Sequence, residues 1–213
     1  TRFYRTEGAV AVQRTQVRVA TGARLEWLPM ENLCYSGCQA ENRLTLALES
    51  GAQIMGWDVT ALGLPEAGLP FVAGSLLQHL EVAGGWLERG CIEATDPLLM
   101  NGPLGLAGHR CMATLYLLTG TDLPRETREA ALTLAREQIE THPLRAQAGA
   151  TSPHPRVVVL RVLAPVVDIF PQLCQGFHDR ARVREEMRLL RELGFGRVYF
   201  VLCNPGYPQF SKA

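Results

Sequence analysis

The sequence predicts a mainly β protein: a β-helix-like or layered stack of strands, with one or two α-helices towards the C-terminal end. Three observations carry that prediction. Apolar and polar residues alternate with period two from Gly8 to about Tyr116, as strands with one buried face require. Glycines punctuate the alternation at Gly22, Gly51, Gly63, Gly68, Gly84-Gly85, Gly102, Gly105 and Gly108, where turns are expected. Finally, "VRVATGARL" (Val17–Leu25) and "LALESGAQI" (Leu46–Ile54) share one scheme: apolar, x, apolar, x, x, Gly-Ala, x, apolar. Leu80, Val82 and Gly85 form a looser third copy. Each copy reads as a strand, a tight turn and a return strand, a unit that stacks in a β-helix or layered sandwich. Two ordinary hairpins with the same turn chemistry would read alike.

The elements follow in order. Val10 and Val12, then Gln16–Val19, then Leu44–Leu48 alternate as strands. In "TDLPRETREAALTLAREQIETHP" the period lengthens. Thr121 or Asp122 is the expected N-cap, Pro124 falls in the first turn, and Pro143 ends a helix over residues 122–142. Its apolar face is Ala131, Leu134, Ala135 and Ile139, with Arg136 and Glu140 as an i,i+4 pair. "AQAGATSPHP" reads as a loop, and the β-branched "RVVVLRVLA" (Arg156–Ala164) as a strand. Pro165 can open a further helix, kinked or restarted at Pro171. A charged helix ending at Gly194 and a strand at Arg197–Cys203 then give the tail an α/β character. The expected organisation is a β domain over 1–167 and a divergent helix–strand tail over 168–213.

Composition narrows the function. With 213 residues, 47% of them hydrophobic, the chain can bury one sizeable core with a small addition. A formal net charge of zero gives no electrostatic case for nucleic acid or an anionic membrane as partner. No apolar run is long enough to cross a bilayer, and Thr1–Val10 lacks the apolar core of a signal peptide, which points to the cytoplasm. Six scattered cysteines read as reduced, buried thiols rather than a disulfide framework.

Candidate chemistry is sparse. His109 and Cys111 lie two apart and would share a face on a strand; Cys34 and Cys38 lie four apart beside a turn. Neither has the paired spacing of a closed zinc site, which leaves at most a transient soft-metal contact. Glu26 and Glu31 flank Trp27, Asp58 follows Trp57, and Glu88 lies two past Trp86. A carboxylate beside an indole is either a raised-pKa acid or a hydrogen-bonded structural one. Nucleophile elbows and phosphate-binding loops do not occur, and "GPLGLAG" has the wrong glycine spacing for a dinucleotide fingerprint. The balance favours a scaffold or binding protein over an enzyme.

Several segments in order carry a resemblance. "FYR" (Phe3–Arg5), "VRVATGARLEWLPMEN", "ALESGAQIMGWDVTALG", "WLER" (Trp86–Arg89), "GPLGLAGHRCMATLYLLTG" and "RVVVLRVLAP" together resemble the UreD (UreH) family of urease accessory proteins, over about Thr1–Val167. The resemblance implies a cytoplasmic, non-enzymatic chaperone with a β-helix-like fold. It implies binding to UreF, recruitment of the GTPase UreG, possible pairing of such heteromers through UreF and UreG, and docking on apo-urease. Nickel is implied as cargo in transit, with no tightly bound cofactor in this chain and GTP held by the partner. Tyr4, Arg5, Glu26, Trp27, Pro29, Glu31 and Glu88 match family positions, and Asp58 stands where Glu is usual. Leu64 and Leu69 replace an expected Arg and Glu. These matched residues are the expected partner-face or ion-path candidates, with His109 and Cys111 as transient metal candidates. Strands that usually precede F-Y-R are missing, so the start is expected to be an exposed edge of a longer stack. Two other readings remain: a hydrolase on a β scaffold using Glu26 or Glu88, and a metal-free protein-binding adaptor.

Overall fold

In the computed structural model, which describes residues 1–165, the chain begins as a coil. After β1 (Arg2–Phe3), strand β2 (Ala11–Val19) turns at Gly22 into β3 (Arg24–Trp27) and β4 (Asn32–Cys34). The chain crosses back as β5 (Cys38–Leu48), turns at Gly51 into β6 (Gln53–Leu64), and returns through β7 (Leu69–Pro70) to β8 (Gly74–Val82). Strands β2, β5 and β8 pair in parallel in one sheet; β1, β3, β4 and β6 pair in parallel in the other. The rest closes the stack with antiparallel strands. β9 (Trp86–Glu93) edges the first sheet, while β10 (Cys111–Thr119), β12 (Val157–Ala164) and β11 (Ala148–His154) extend the second. Two helices, α1 (Pro97–Asn101) and α2 (Arg125–Glu140), complete it. The mainly β, layered fold is as the alternation predicts. The tail over 168–213 and the helix expected from Pro165 lie outside the described residues.

The repeat is real in three dimensions. Val17 pairs with Leu46, Val19 with Leu48 and Leu25 with Ile54, the matches the sequence aligned. Gly22 and Gly51 take nearly the same left-handed φ, 69° and 68°, and the Gly22 N–H donates to Ser50 O at 3.0 Å. Two turns stacked this closely need the same backbone shape, which only glycine adopts without strain. The third copy is displaced. Leu80 stands beside Leu44, and Val82 beside Leu46. Its Gly84-Gly85 makes a hairpin, with Val82 opposite Trp86, because β9 runs back antiparallel instead of continuing the coil.

Other local expectations are corrected. The helix starts at Arg125, with Pro124 at the N-cap position and no side-chain cap; Asp122 instead accepts from Arg156 Nε at 2.7 Å. Its buried side chains are Ala131, Leu132 and Ile139, so Leu132 takes the place expected for Leu134 and Ala135. The segment read as a loop is largely β11, an edge strand. Pro153 is tolerated there because a bulge between Thr151 and His154 takes it out of the ladder. The short helix α1 had no sequence expectation; Asp96 caps it, accepting from the N–H groups of Leu98 and Leu99, both at 3.0 Å.

Candidate functional site

Between the two sheets the core is divided. One apolar cluster holds Val19, Leu44, Leu46, Ile54, Leu80, Val82, Tyr116, Leu118, Val157 and Val159. A second holds Phe3, Cys34, Cys38, Ala40, Leu62, Phe71, Leu76, Ile92, Met100 and Leu106. Because side chains alternate faces, each strand's inward positions can be read off in steps of two. In β5 the order is Cys38, Ala40, Asn42, Leu44, Leu46, and in β8 it is Leu76, Gln78, Leu80, Val82. In β6 it is Ile54, Gly56, Asp58, Thr60, Leu62, and in β12 it is Val157, Val159, Arg161, Leu163. A polar residue interrupts each of these four strands at the same height. Register confirms the alignment: Gln13 stands beside Asn42, Asn42 beside Gln78, Asp58 beside Thr114, and Thr114 beside Arg161. A polar layer thus crosses the interior between two apolar halves.

Asp58 is its centre. Oδ2 accepts from Asn42 Nδ2 at 2.9 Å and Asn32 Nδ2 at 3.3 Å. Oδ1 accepts from Thr60 Oγ1 at 3.3 Å and from Gln78 Nε2. Gln13 Nε2 extends the network, donating to Asn42 Oδ1 at 3.2 Å. Loss of solvent around the carboxylate pushes the Asp58 pKa above its ordinary value, against the pull of hydrogen bonds from Asn42, Gln78 and Thr60. The strand pairing is interrupted beside it. Trp27 pairs with Gly56 and Asn32 with Thr60, so Leu28–Glu31 bulges out opposite Trp57–Val59. Trp57 Nε1 pins the bulge by donating to Pro29 O at 2.8 Å.

Tyr116 borders the layer from the apolar side. Its side chain is fully buried, and its hydroxyl lies over Gly56, where an added Cβ would come within 2.7 Å of it. That hydroxyl has no hydrogen-bond partner among the described residues. Burial, then the Asp58 charge, push the Tyr116 pKa above the usual phenol range. At the opposite edge, Arg161 of one sheet pairs with Glu88 of the other. The layer therefore runs from Gln13 and Asn32 at one side to an exposed ion pair at the other.

Of the residues singled out from sequence, Asp58 lies in this layer, and Glu88, opposite Leu80 on β9, meets its edge through Arg161. Trp27 packs against the first apolar cluster. Glu26 neighbours it on β3, opposite Met55. Glu31 lies in the bulge, where its carbonyl accepts from the Thr1 nitrogen at 2.7 Å. Tyr4 is exposed and stacks on Tyr35 with ring centroids 5.1 Å apart. His109 precedes β10 instead of lying in it, so it does not share a strand face with Cys111. Burial, with a contribution from the Glu31 charge, pushes the Cys111 thiol up to about 12. Among the described residues, no three His, Cys, Asp or Glu side chains gather to hold a metal ion. Gln13, Asn32, Asn42, Thr60, Gln78, Thr114 and Arg161 carried no sequence expectation. Their signal was a polar residue at an inward position of an otherwise apolar phase.

Fold and layer together define a two-sheet coiled scaffold crossed by polar side chains. The family model for the UreD urease accessory protein matches residues 1–192, beyond the Val167 limit of the resemblance and into the segment read as divergent. The chain belongs to the UreD urease accessory protein family. It is 66% identical over 168 residues to the urease accessory protein UreD of Paracidovorax citrulli (strain AAC00-1), covering 79% of this chain and 61% of that relative. It is 61% identical over 172 residues to UreD of Variovorax paradoxus (strain S110), covering 81% of this chain and 62% of the relative. The chain spans about three-fifths of the length of these relatives. No helix among the described residues is long and apolar enough to cross a membrane.

Proposed function

We propose that this chain acts in urease maturation as a cytoplasmic, non-enzymatic scaffold. In this reading it holds UreF and UreG on apo-urease and hands nickel towards the urease active site. Tyr4, Arg5, Glu26, Trp27 and Glu31 are its candidates for the partner face. GTP belongs to UreG, and nickel is cargo.

The polar layer carries the reading. A divalent cation crossing an apolar core pays a desolvation cost unless oxygen donors replace its water. Asn32, Asn42 and Gln78 turn amide oxygens inward by simple rotation, Thr60 adds a hydroxyl, and Asp58 supplies the one carboxylate at the centre. Such a row of weak oxygen donors suits passage better than retention.

The test is reconstituted activation of apo-urease with nickel, UreF, UreG and this protein, comparing wild type with Gln78→Leu and Asn42→Leu. Leucine plugs the layer. The expected result is retained capture of UreF with a large fall in activation. Full activation by folded, UreF-binding leucine variants overturns the nickel path. Failure of the wild-type protein to capture UreF overturns the scaffold.

A further inference from the structure

The chain passes from one sheet to the other through a tight corner. Cys34 ends β4, Cys38 begins β5, and Tyr35, Ser36 and Gly37 lie between them. The corner is held by backbone bonds: Cys38 N–H to Tyr35 O at 3.1 Å and Gly37 N–H to Ala73 O at 2.7 Å, with Gly37 at φ 83°. Both cysteine side chains are 0% exposed. Their thiols are in hydrogen-bonding contact, and Cys38 Sγ lies 3.9 Å from Ser75 O. The Cys34 thiol donates to the Cys38 sulfur. That bond holds the Cys38 thiol below its ordinary range and, with burial, pushes Cys34 up. One sulfur is therefore the better nucleophile, and the other is placed to trap it.

The surroundings decide between two uses of such a pair. Phe3, Ala40, Leu62, Phe71 and Leu76 share the cluster with both sulfurs. Two thiolates alone leave a cation short of ligands, and these apolar side chains offer none; among the described residues no third His, Cys, Asp or Glu joins the pair. A disulfide is neutral and apolar and suits these surroundings. We propose that Cys34 and Cys38 form a reversible disulfide that staples the two sheets when a small neutral peroxide reaches the corner. This stands independently of the nickel reading.

The chemistry balances. The Cys38 thiolate attacks one peroxide oxygen, the O–O bond breaks, and the released hydroxide takes up a proton to become water. The Cys34 sulfur then attacks the sulfenic sulfur of Cys38. The S–S bond forms, the S–O bond breaks, and a second water leaves with the last thiol proton. Two sulfurs are oxidised and one peroxide is reduced. Access is through Arg5, an exposed residue whose side chain covers the corner: a Cβ added at Gly37 would meet Arg5 Cγ at 2.9 Å. A swing of this side chain admits hydrogen peroxide but not a bulky disulfide.

The full chain is treated with hydrogen peroxide under native conditions, alkylated after denaturation, and cleaved with trypsin. One peptide, Leu25–Arg43, carries both cysteines. The expected product is that peptide, unalkylated and lighter by two hydrogens, restored by dithiothreitol. Exposed Cys91 serves as the internal comparison, oxidising without an intramolecular partner on this peptide. Arg5→Ala should speed the closure several-fold, and Cys34→Ser should divert Cys38 to sulfinic acid. Recovery of both cysteines alkylated, at peroxide levels that oxidise Cys91, overturns the proposal. So does linkage of Cys38 to any other cysteine. The wild-type map decides even where a variant fails to fold.

Discussion

The parallel coil, β2 through β8, and the antiparallel strands, β9 through β12, build the same two sheets by different means. In the coil, β5 lies on β2 and β8 on β5 in parallel, with each residue beside its counterpart. An inward polar residue in one rung thus meets one in the next, as Gln13 meets Asn42 and Asn42 meets Gln78. The antiparallel strands have no such repetition. They continue the layer only because register sets Thr114 against Asp58 and Arg161 against Thr114. The coil ends its share of the layer in a saturated network around Asp58, whereas the antiparallel side ends in a single exposed ion pair. Amides and hydroxyls can be stacked indefinitely; a buried Arg cannot, and it appears only where the layer reaches solvent.

The sharpest way to break the comparison is at the join. Gly120 follows β10, and its N–H donates to Ala52 O at 2.8 Å in the coil's second corner. A Cβ there would fall on the Glu49 carbonyl. Gly120→Ala should therefore cost about 3 kcal/mol, as overpacking against backbone does. Urea denaturation should show one cooperative transition at lower urea, since the halves share both sheets. Two separated transitions would show that they fold independently.

The next effect is smaller and belongs to the coil. The Asp58 pKa is raised above its ordinary 3.8. Between the two values the folded state keeps a proton that the unfolded state releases, so stability falls as pH rises through that window and does not recover above it. Asp58→Asn removes this fall. Its melting temperature should exceed that of wild type by a few degrees at neutral pH and lose that lead on acidification. A constant difference at all pH values would contradict the assignment. On the antiparallel side, the Arg161–Glu88 pair is exposed at both ends, so a double-mutant cycle should give only about 0.5 kcal/mol. A coupling several times larger would mean that this edge is as enclosed as the Asp58 end.

These differences also govern what could be read before folding. The Gly22-Ala23 and Gly51-Ala52 turns were legible because a stacked coil repeats its turn chemistry. The hairpin at Gly84-Gly85 also turns on glycine after alternating Leu80 and Val82, and so reads like a third rung. The edge strand Ala148–His154 was hidden by its Gly and Pro, which a bulged edge tolerates. The polar layer was written in the sequence, but one Asn in Cys38-Ala40-Asn42-Leu44-Leu46 reads as noise until neighbouring strands bring Gln13 and Gln78 alongside. Asp58 was noticed for its neighbour Trp57, which faces the other side of β6 and bonds to Pro29. What encloses Asp58 comes from β4, β5 and β8, at separations no local pattern spans. The partner of Glu88 lies on β12 for the same reason.

The layer has a further consequence for how this protein can change over time. Hydrogen bonds have narrow permitted lengths, so the amides around Asp58 act as a gauge that fixes the spacing of the sheets at mid-height. On either side, leucines and valines fill a gap whose width is already set. A volume lost on the Leu46 side has to be made good among its own neighbours, because nothing packed around Leu76 can reach across to fill it. The two halves are therefore free to drift separately, each revising its own side chains, while the few polar residues between them hold the gauge.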